Sequence, residues 1–131
     1  MNSGKREIDL SEAAYIDASL YDFSSVRASV SKRTGALNFG PNAKKFMGFK
    51  TGDRLLMFKQ HGGNLATVLV TNEDSRGFRI YRNANSGYIK FQKYLDRERI
   101  DYKHNRIVYD ISRTLEKYMG KTVYLLTQSA E

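Results

Sequence analysis

The stretch GALNFGPNAKKFMGFKTGD, residues 35–53, holds the features that decide the fold of this 131-residue chain. It contains the only proline and four of the ten glycines, and it leads into the apolar segment LLMF. Gly35 permits the positive φ of a tight turn, and Gly40-Pro41 ends a strand and starts a helix. Gly48 is expected to end that helix in the left-handed conformation. The stretch therefore predicts a strand, a short helix and a buried strand.

Short strands separated by turn signals fill the chain on both sides of this stretch. Apolar and polar residues alternate over Val26–Lys32, which predicts a half-buried strand. The other predicted strands are Ala36–Phe39, Arg54–Gln60, Leu65–Thr71, Phe78–Arg82, Tyr88–Phe91, Arg99–Lys103, Ile107–Ile111 and Thr122–Thr127. The predicted helical turns are Asn42–Met47, Tyr94–Glu98 and Arg113–Tyr118, the last capped by Ser112 and ended by Gly120. This pattern predicts a mainly β fold with short helices, α+β by content, and it argues against a helical bundle.

A second copy of the opening pattern occurs later in the chain. Leu37-Asn38-Phe39 aligns with Tyr109-Asp110-Ile111, and the register continues from Lys45–Gly48 to Lys117–Gly120. We therefore expect two β-turn-β-α-β units, residues 26–60 and 98–128, in this mainly β fold. Both units would belong to a single domain over residues 25–131, preceded by an N-terminal arm, residues 1–24.

Charge is distributed unevenly along this basic chain. The net charge is +8 and the pI about 9.7, yet the arm carries two basic and five acidic side chains. The excess of lysine and arginine lies in residues 25–106, so the middle of the chain is expected to attract polyanions. The absence of cysteine excludes disulfides and thiolate chemistry. With no apolar run near the ~20 residues of a membrane span and no signal peptide, we expect a cytoplasmic protein without membrane contact.

Catalytic and metal motifs are missing from the sequence. The two histidines, His61 and His104, lie in predicted turns and neither has a second ligand at metal spacing. Phosphate loops, nucleophile elbows and paired carboxylates are also absent. Asp53 and Asp110 are interpreted as turn and strand-end residues. We expect no enzyme activity, no cofactor and no metal.

The opening stretch resembles a known family of small barrels. The spacing from Gly35 to Gly48 and the sequence Phe49–Arg54 are similar to the swapped-hairpin barrels of the AbrB, MazE and MraZ type. Matching or similar residues stand at Gly35, Leu37, Phe39, Ala43, Lys44, Met47, Gly48, Phe49, Lys50, Gly52 and Asp53. One departure is that the family proline falls on Gly40, with Pro41 one place later. The resemblance covers only residues 26–60, with its second copy at 98–128.

What the resemblance implies is a barrel that binds duplex DNA as a transcriptional regulator or antitoxin. Members of the family contact DNA through basic side chains on the first strand and the turns beside it. Carried over by position, the candidates are Arg27, Lys32, Arg33, Lys44 and Lys45, with Arg99 and Arg106 in the second copy.

Two alternatives remain open from the residues. The chain could be a protein-interaction barrel, with the acidic arm contacting a second subunit in a homodimer or another protein. It could instead bind single-stranded nucleic acid through two stretches rich in basic and aromatic residues, Arg76–Arg82 and Tyr88–Tyr94. The simpler interpretation of these stretches turns Phe78, Ile80, Tyr88 and Phe91 into the core and leaves Arg79, Lys90 and Lys93 solvated.

Overall fold

The computed structural model describes residues 7–14, 26–50, 52–83, 85–113 and 115–129, which form ten strands and two short α-helices. The strands are β1 (Arg27–Val30), β2 (Ala36–Phe39), β3 (Arg54–Lys59), β4 (Leu65–Val70), β5 (Phe78–Arg79), β6 (Tyr81–Asn83), β7 (Ser86–Lys90), β8 (Val108–Ile111), β9 (Glu116–Tyr118) and β10 (Lys121–Gln128). The helices are α1 (Pro41–Met47) and α2 (Gln92–Arg97), and a short 3-10 turn covers His61–Gly63.

A single antiparallel sheet contains all the described strands. Their order is β5-β3-β4-β10-β8-β1-β2-β7-β6, and β9 pairs with β10 outside this path. The sheet curves into a nearly closed barrel. Phe78 of β5 packs edge-on against Phe91, which follows β7, with ring centroids 5.5 Å apart. This contact brings the two ends of the sheet together and confirms the prediction of a mainly β, barrel-like fold.

The core lies inside the barrel and follows the alternation that the strands predict. In β1 and β2 the inward residues include Ala28, Leu37 and Phe39, all at most 1% exposed. Helix α1 covers part of this core with Ala43 and Met47. A smaller apolar cluster lies on the other face of β3, β4 and β10, built from Ala66, Val68, Val70 and Val123 with Leu56, Phe58 and Leu125 packed against it.

The opening stretch forms the predicted strand, short helix and strand, but the last of these, β3, is not a buried strand, because only Leu55 of its residues is buried. Gly35 has a φ of 74° in the β1–β2 turn, and Pro41 is the first residue of α1. Gly48 ends α1 with a φ of 71°, and its N–H donates to the carbonyl of Lys44. The glycines and the proline therefore place a strand, a helix and a strand where the sequence requires them.

The predicted strand Arg99–Lys103 is wrong, because the chain turns there to close α2. Arg99 has a φ of 56°, and its N–H donates to the carbonyl of Asp96 at 3.1 Å. The N–H of Ile100 reaches back to the carbonyl of Leu95 at 2.9 Å. These two bonds form a Schellman motif with Arg99 at the position usually held by glycine. Residues 99–104 therefore form no strand, and the next strand, β8, begins at Val108.

The predicted helix Arg113–Tyr118 is also wrong. Glu116–Tyr118 form β9, which pairs with β10 through the two-residue loop Met119-Gly120. Tyr118 packs against Phe58 with ring centroids 5.7 Å apart, so the hairpin covers the smaller apolar cluster. Pairing and packing outweigh the weak helical preference of a six-residue segment.

The absence of the strand predicted over Arg99–Lys103 and of the helix predicted over Arg113–Tyr118 removes part of the predicted second unit. Residues 98–128, where the structure describes them, contain no helix, and Arg27 and its aligned partner Arg99 occupy a strand and a turn respectively. The predicted strand Phe78–Arg82 is divided in two. Its second part, β6, pairs with β7 as a hairpin, whereas its first part, β5, pairs with β3. The sequence repeat stays a prediction.

Little of the predicted arm lies within the described residues. Residues 7–14 are exposed and contain a turn in which Asp9 accepts hydrogen bonds from the backbone and hydroxyl of Ser11. The rest of the arm lies outside the described residues. No helix among those described is both long enough and apolar enough to cross a membrane.

Candidate nucleic-acid interface

A groove of about 880 Å³ lies between the β1–β2 turn and the segment from β7 into α2. Its functional groups are the side chains of Arg33, Asn38, Tyr88, Lys90, Gln92 and Lys93. Ser31, Thr34, Ala36 and Phe78 complete the lining. The groove therefore combines three cations, two amides and an aromatic ring.

Gly35 brings the two walls of the groove together. A Cβ atom at this position would lie 2.8 Å from the Cβ of Gln92, so the β1–β2 turn can approach α2 only because residue 35 has no side chain. Helix α2 is fixed in turn by Phe91 and Leu95, both at most 1% exposed. Arg33 and Lys93 consequently line one groove although sixty positions separate them in the sequence.

A much smaller recess, of about 10 Å³, lies at the β6–β7 hairpin. Lys44, Lys50, Tyr81 and Arg82 line it, together with Phe49, Ile80, Ser86 and Gly87. A Cβ atom on Gly87 would lie 2.8 Å from the ring of Phe49, so this glycine lets the chain after α1 pack closely on β7. That packing carries Lys44 and Lys50 toward Arg82.

Two tyrosines connect the groove and the recess. Tyr81 and Tyr88 are opposite one another in the β6–β7 pairing, and their rings stack with centroids 5.3 Å apart and an interplanar angle of 19°. The ammonium of Lys90 lies 4.8 Å from the centroid of the Tyr81 ring. The stacked rings of Tyr81 and Tyr88 thus link a residue that lines the recess to one that lines the groove.

Positive charge concentrates on this surface. Six basic residues and no acidic residue line the groove and the recess. The whole sequence has 22 basic and 14 acidic residues, so the remainder carries 16 against 14. Most of the net charge of +8 therefore lies around the groove and the recess.

Some basic residues outside the groove and the recess form ion pairs. The Nε of Arg27 lies 2.8 Å from the carboxylate of Asp110 on the neighbouring strand β8. Lys59 pairs with Glu98 at 2.5 Å, and this hydrogen bond raises the pKa of Lys59. By contrast, Arg33, Lys90 and Lys93 have no carboxylate partner within the described part of the chain.

The structure brings together only part of the predicted DNA-binding set. Arg33 lines the groove, Lys32 is exposed in the same turn, and Lys44 lines the recess. Lys45 is exposed on α1. Arg99 and Arg106 are exposed on either side of the turns between α2 and β8, and neither lines the groove or the recess.

The DNA-binding set carried over from the family resemblance does not include Lys90, Lys93, Lys50 or Arg82. Of these, Arg82, Lys90 and Lys93 lie within the two stretches of the single-strand alternative. The core-facing interpretation of Tyr88 is wrong, because Gly87 and Ile89 face the barrel interior and Tyr88 and Lys90 share the outer face. The sequence did contain evidence for this orientation. Gly87, Ile89 and Phe91 stand at every second position and face inward, but the first of them is a glycine. Ile80 and Phe91 are buried as that interpretation expected.

Comparison with known protein families, curated proteins and solved structures found no match to this chain. Among the described residues, no group of three or more His, Asp or Glu side chains is placed to hold a metal ion.

Proposed function

We propose that this protein binds nucleic acid, with the groove and the recess as its contact surface. The observation that supports this most strongly is the placement of six Lys and Arg side chains, and no acidic one, around the stacked pair Tyr81–Tyr88. Cations next to aromatic rings match a ligand that has both phosphates and bases.

The binding mechanism follows from this charge. Arg33, Lys90 and Lys93 neutralise phosphates and release the counterions condensed on them, so the affinity falls steeply as salt is raised. Arg33 carries the additional ability to form two parallel hydrogen bonds, with a phosphate or with a guanine edge.

The biological form of this activity that the family resemblance implies is a DNA-binding regulator or antitoxin-like factor. In that form the barrel would have the AbrB-type two-unit architecture and would bind duplex DNA. Lys32, Lys44 and Lys45 would extend the contact from the groove along α1. Arg27, Arg99 and Arg106 belong to the same expectation, although they lie outside the groove and the recess.

The experiment is a binding titration with a labelled oligonucleotide at several salt concentrations between about 50 and 200 mM. A triple variant, Arg33→Ala, Lys90→Ala, Lys93→Ala, should weaken binding by at least about tenfold at the lower salt. The slope of log K against log salt should become shallower by about 0.7–0.9 for each cation removed.

A second triple variant supplies the control. Arg113→Ala, Lys117→Ala, Lys121→Ala removes the same charge from an exposed cluster at the β9–β10 hairpin, outside the groove. It should leave most of the affinity in place. Equal losses in the two triples would show that only net charge matters and would remove the groove from the proposal. No binding by the parent protein at low salt would favour the alternative of a protein-interaction barrel.

A further inference from the structure

The outer face of β7 and its neighbours carries a row of side chains suited to bases. Because Gly87 and Ile89 point into the barrel, Tyr88 and Lys90 point outward, and β2 places Asn38 beside Tyr88 and Ala36 beside Lys90. Ala36 lines the groove and is 8% exposed, so a small and mostly buried side chain forms the floor next to Lys90.

Tyr88 lines the groove and is partly exposed. Tyr81 stacks on the ring from the recess side, which fixes the orientation of Tyr88. Tyr88 lines the groove, and Tyr81 does not. A ring held in this way is a stacking platform for a flat ligand, because little side-chain freedom remains to be lost on binding.

Two amides lie within reach of a ligand on that platform. Neither Asn38 nor Gln92 has a side-chain hydrogen-bond partner among the residues that the structure describes. A carboxamide offers one acceptor and two donors, the combination that pairs with base edges. Asn38 is the cross-strand neighbour of Tyr88 and Gln92 lines the same groove, so both suit the edge of a stacked base better than a phosphate.

The shape of the surface favours unpaired nucleotides over a duplex. In a duplex both faces of each base are covered by neighbouring bases, so a recessed aromatic ring cannot stack on them. The cations also extend from the groove to the recess instead of forming one cradle, which suits a strand with several phosphates.

We propose that the groove binds single-stranded nucleic acid, with one base stacked on Tyr88. This inference rests on the proposed function. Arg33, Lys90 and Lys93 hold the phosphates on either side of that base, and Asn38 and Gln92 contact its edge. The strand continues past Tyr81 toward Lys44, Lys50 and Arg82, the basic residues that line the recess.

The test compares four ligands by direct titration. They are single-stranded DNA and RNA of about 12 nucleotides, the duplex of the same DNA sequence, and a mononucleotide. The proposal expects one or both single strands to bind at least about tenfold more tightly than the duplex and the mononucleotide. The two single-stranded arms show whether the 2′-hydroxyl contributes.

Variants of Tyr88 identify the stacking platform. Tyr88→Leu should weaken single-strand binding by about five- to hundredfold, and Tyr88→Phe should restore most of that loss because the ring is kept. In the parent protein, the stacked base should quench the fluorescence of Tyr88. Tyr88→Phe lacks this fluorophore, so its tyrosine fluorescence should be quenched less on binding. Tyr118→Phe, an exposed tyrosine on the β9–β10 hairpin, should leave the quenching unchanged.

The possible results distinguish a failure of this inference from a failure of the proposed function. Duplex binding as tight as single-strand binding would overturn this inference and leave the proposed function standing, as would unchanged quenching in Tyr88→Phe. If the mononucleotide binds as tightly as the single strands, the inference of a bound strand is wrong and the groove is a nucleotide pocket. If no ligand binds at low salt, the proposed function itself fails. The quenching comparison still decides the matter if Tyr88→Leu does not fold.

Discussion

Arg99 has the backbone conformation of a glycine. Its φ of 56° lies in the left-handed region, which costs a residue with a Cβ atom about 1–2 kcal/mol. The Schellman motif that ends α2 requires this conformation at the residue after the cap. The sequence predicts the end of the helix at Glu98, but because arginine occupies the next position, nothing marks it as a left-handed residue instead of the start of a strand.

Arg99→Gly should therefore stabilise the protein. We expect the free energy of unfolding to rise by about 0.5–1 kcal/mol, since glycine adopts the left-handed region without strain but loses more backbone entropy on folding. Arg99→Ala is the matched control, because it removes the same charge and keeps the Cβ atom. Chemical denaturation of both variants measures the difference, and an alanine variant as stable as the glycine variant would contradict the explanation.

Single residues also explain why the site was only partly predicted. Arg33 was predicted because it lies beside a glycine turn that local sequence reveals. That Lys93 shares a groove with Arg33 was not predicted, because this depends on the close approach of Gly35 to Gln92, which no local pattern reports. Tyr88 was assigned to the wrong face because the alternation starts at Gly87, a residue with no side chain to indicate its direction.

At the scale of elements, the hairpin β9–β10 shows how one signal can predict two structures. Gly120 has a φ of 79° and follows Met119 with a φ of 50°. A glycine of positive φ ends a helix, but it also serves the second position of a type I′ hairpin turn. The segments around Gly35 and Gly48 were predicted correctly because Pro41 fixes the helix start between them.

Met119→Asn should stabilise this hairpin. Both central residues of the turn have positive φ, and Asn-Gly is the pair that such turns favour. Met119 is 83% exposed, so little burial is lost. We expect the free energy of unfolding to rise by about 0.5–1 kcal/mol. Met119→Ala separates the effect of removing the side chain from that of the asparagine, and equal thermal stability of the two variants would count against the type I′ assignment.

At the scale of the whole molecule, the barrel interior was predictable and its closure was not. Alternating apolar residues identify which side of each strand is buried, and the buried positions of β1 and β2 follow that pattern. The order of strands depends on contacts between distant residues, such as Arg27 with Asp110 and Phe78 with Phe91. The same holds for the groove, which three separate segments of the chain build.

The barrel interior makes stability sensitive to alkaline pH. Burial raises the pKa of Tyr109, a core residue that is 1% exposed, from an ordinary value of 10.0 to about 12. Between those values the unfolded chain loses this proton and the folded protein keeps it, so unfolding becomes more favourable as pH rises. The stabilisation is complete below about pH 10 and is lost as pH rises through about 12.

Tyr109→Phe should accordingly flatten the decline of stability in alkali. Unfolding midpoints measured from about pH 8 upward should fall less steeply for this variant than for the parent protein above about pH 10. The exposed Tyr118→Phe provides the comparison and should follow the parent curve. Parallel curves for Tyr109→Phe and the parent would show that the phenol titrates alike in both states.

The place of β10 in the sheet has a consequence for how the protein is made. This strand comes after all other described strands in sequence, yet it lies between β4 and β8 and links the two parts of the sheet. A nascent chain that has not yet released Lys121–Gln128 from the ribosome holds two incomplete sheets with open hydrogen-bonding edges. We therefore expect the barrel to assemble only after translation of β10, with the unfinished chain depending on chaperones until then.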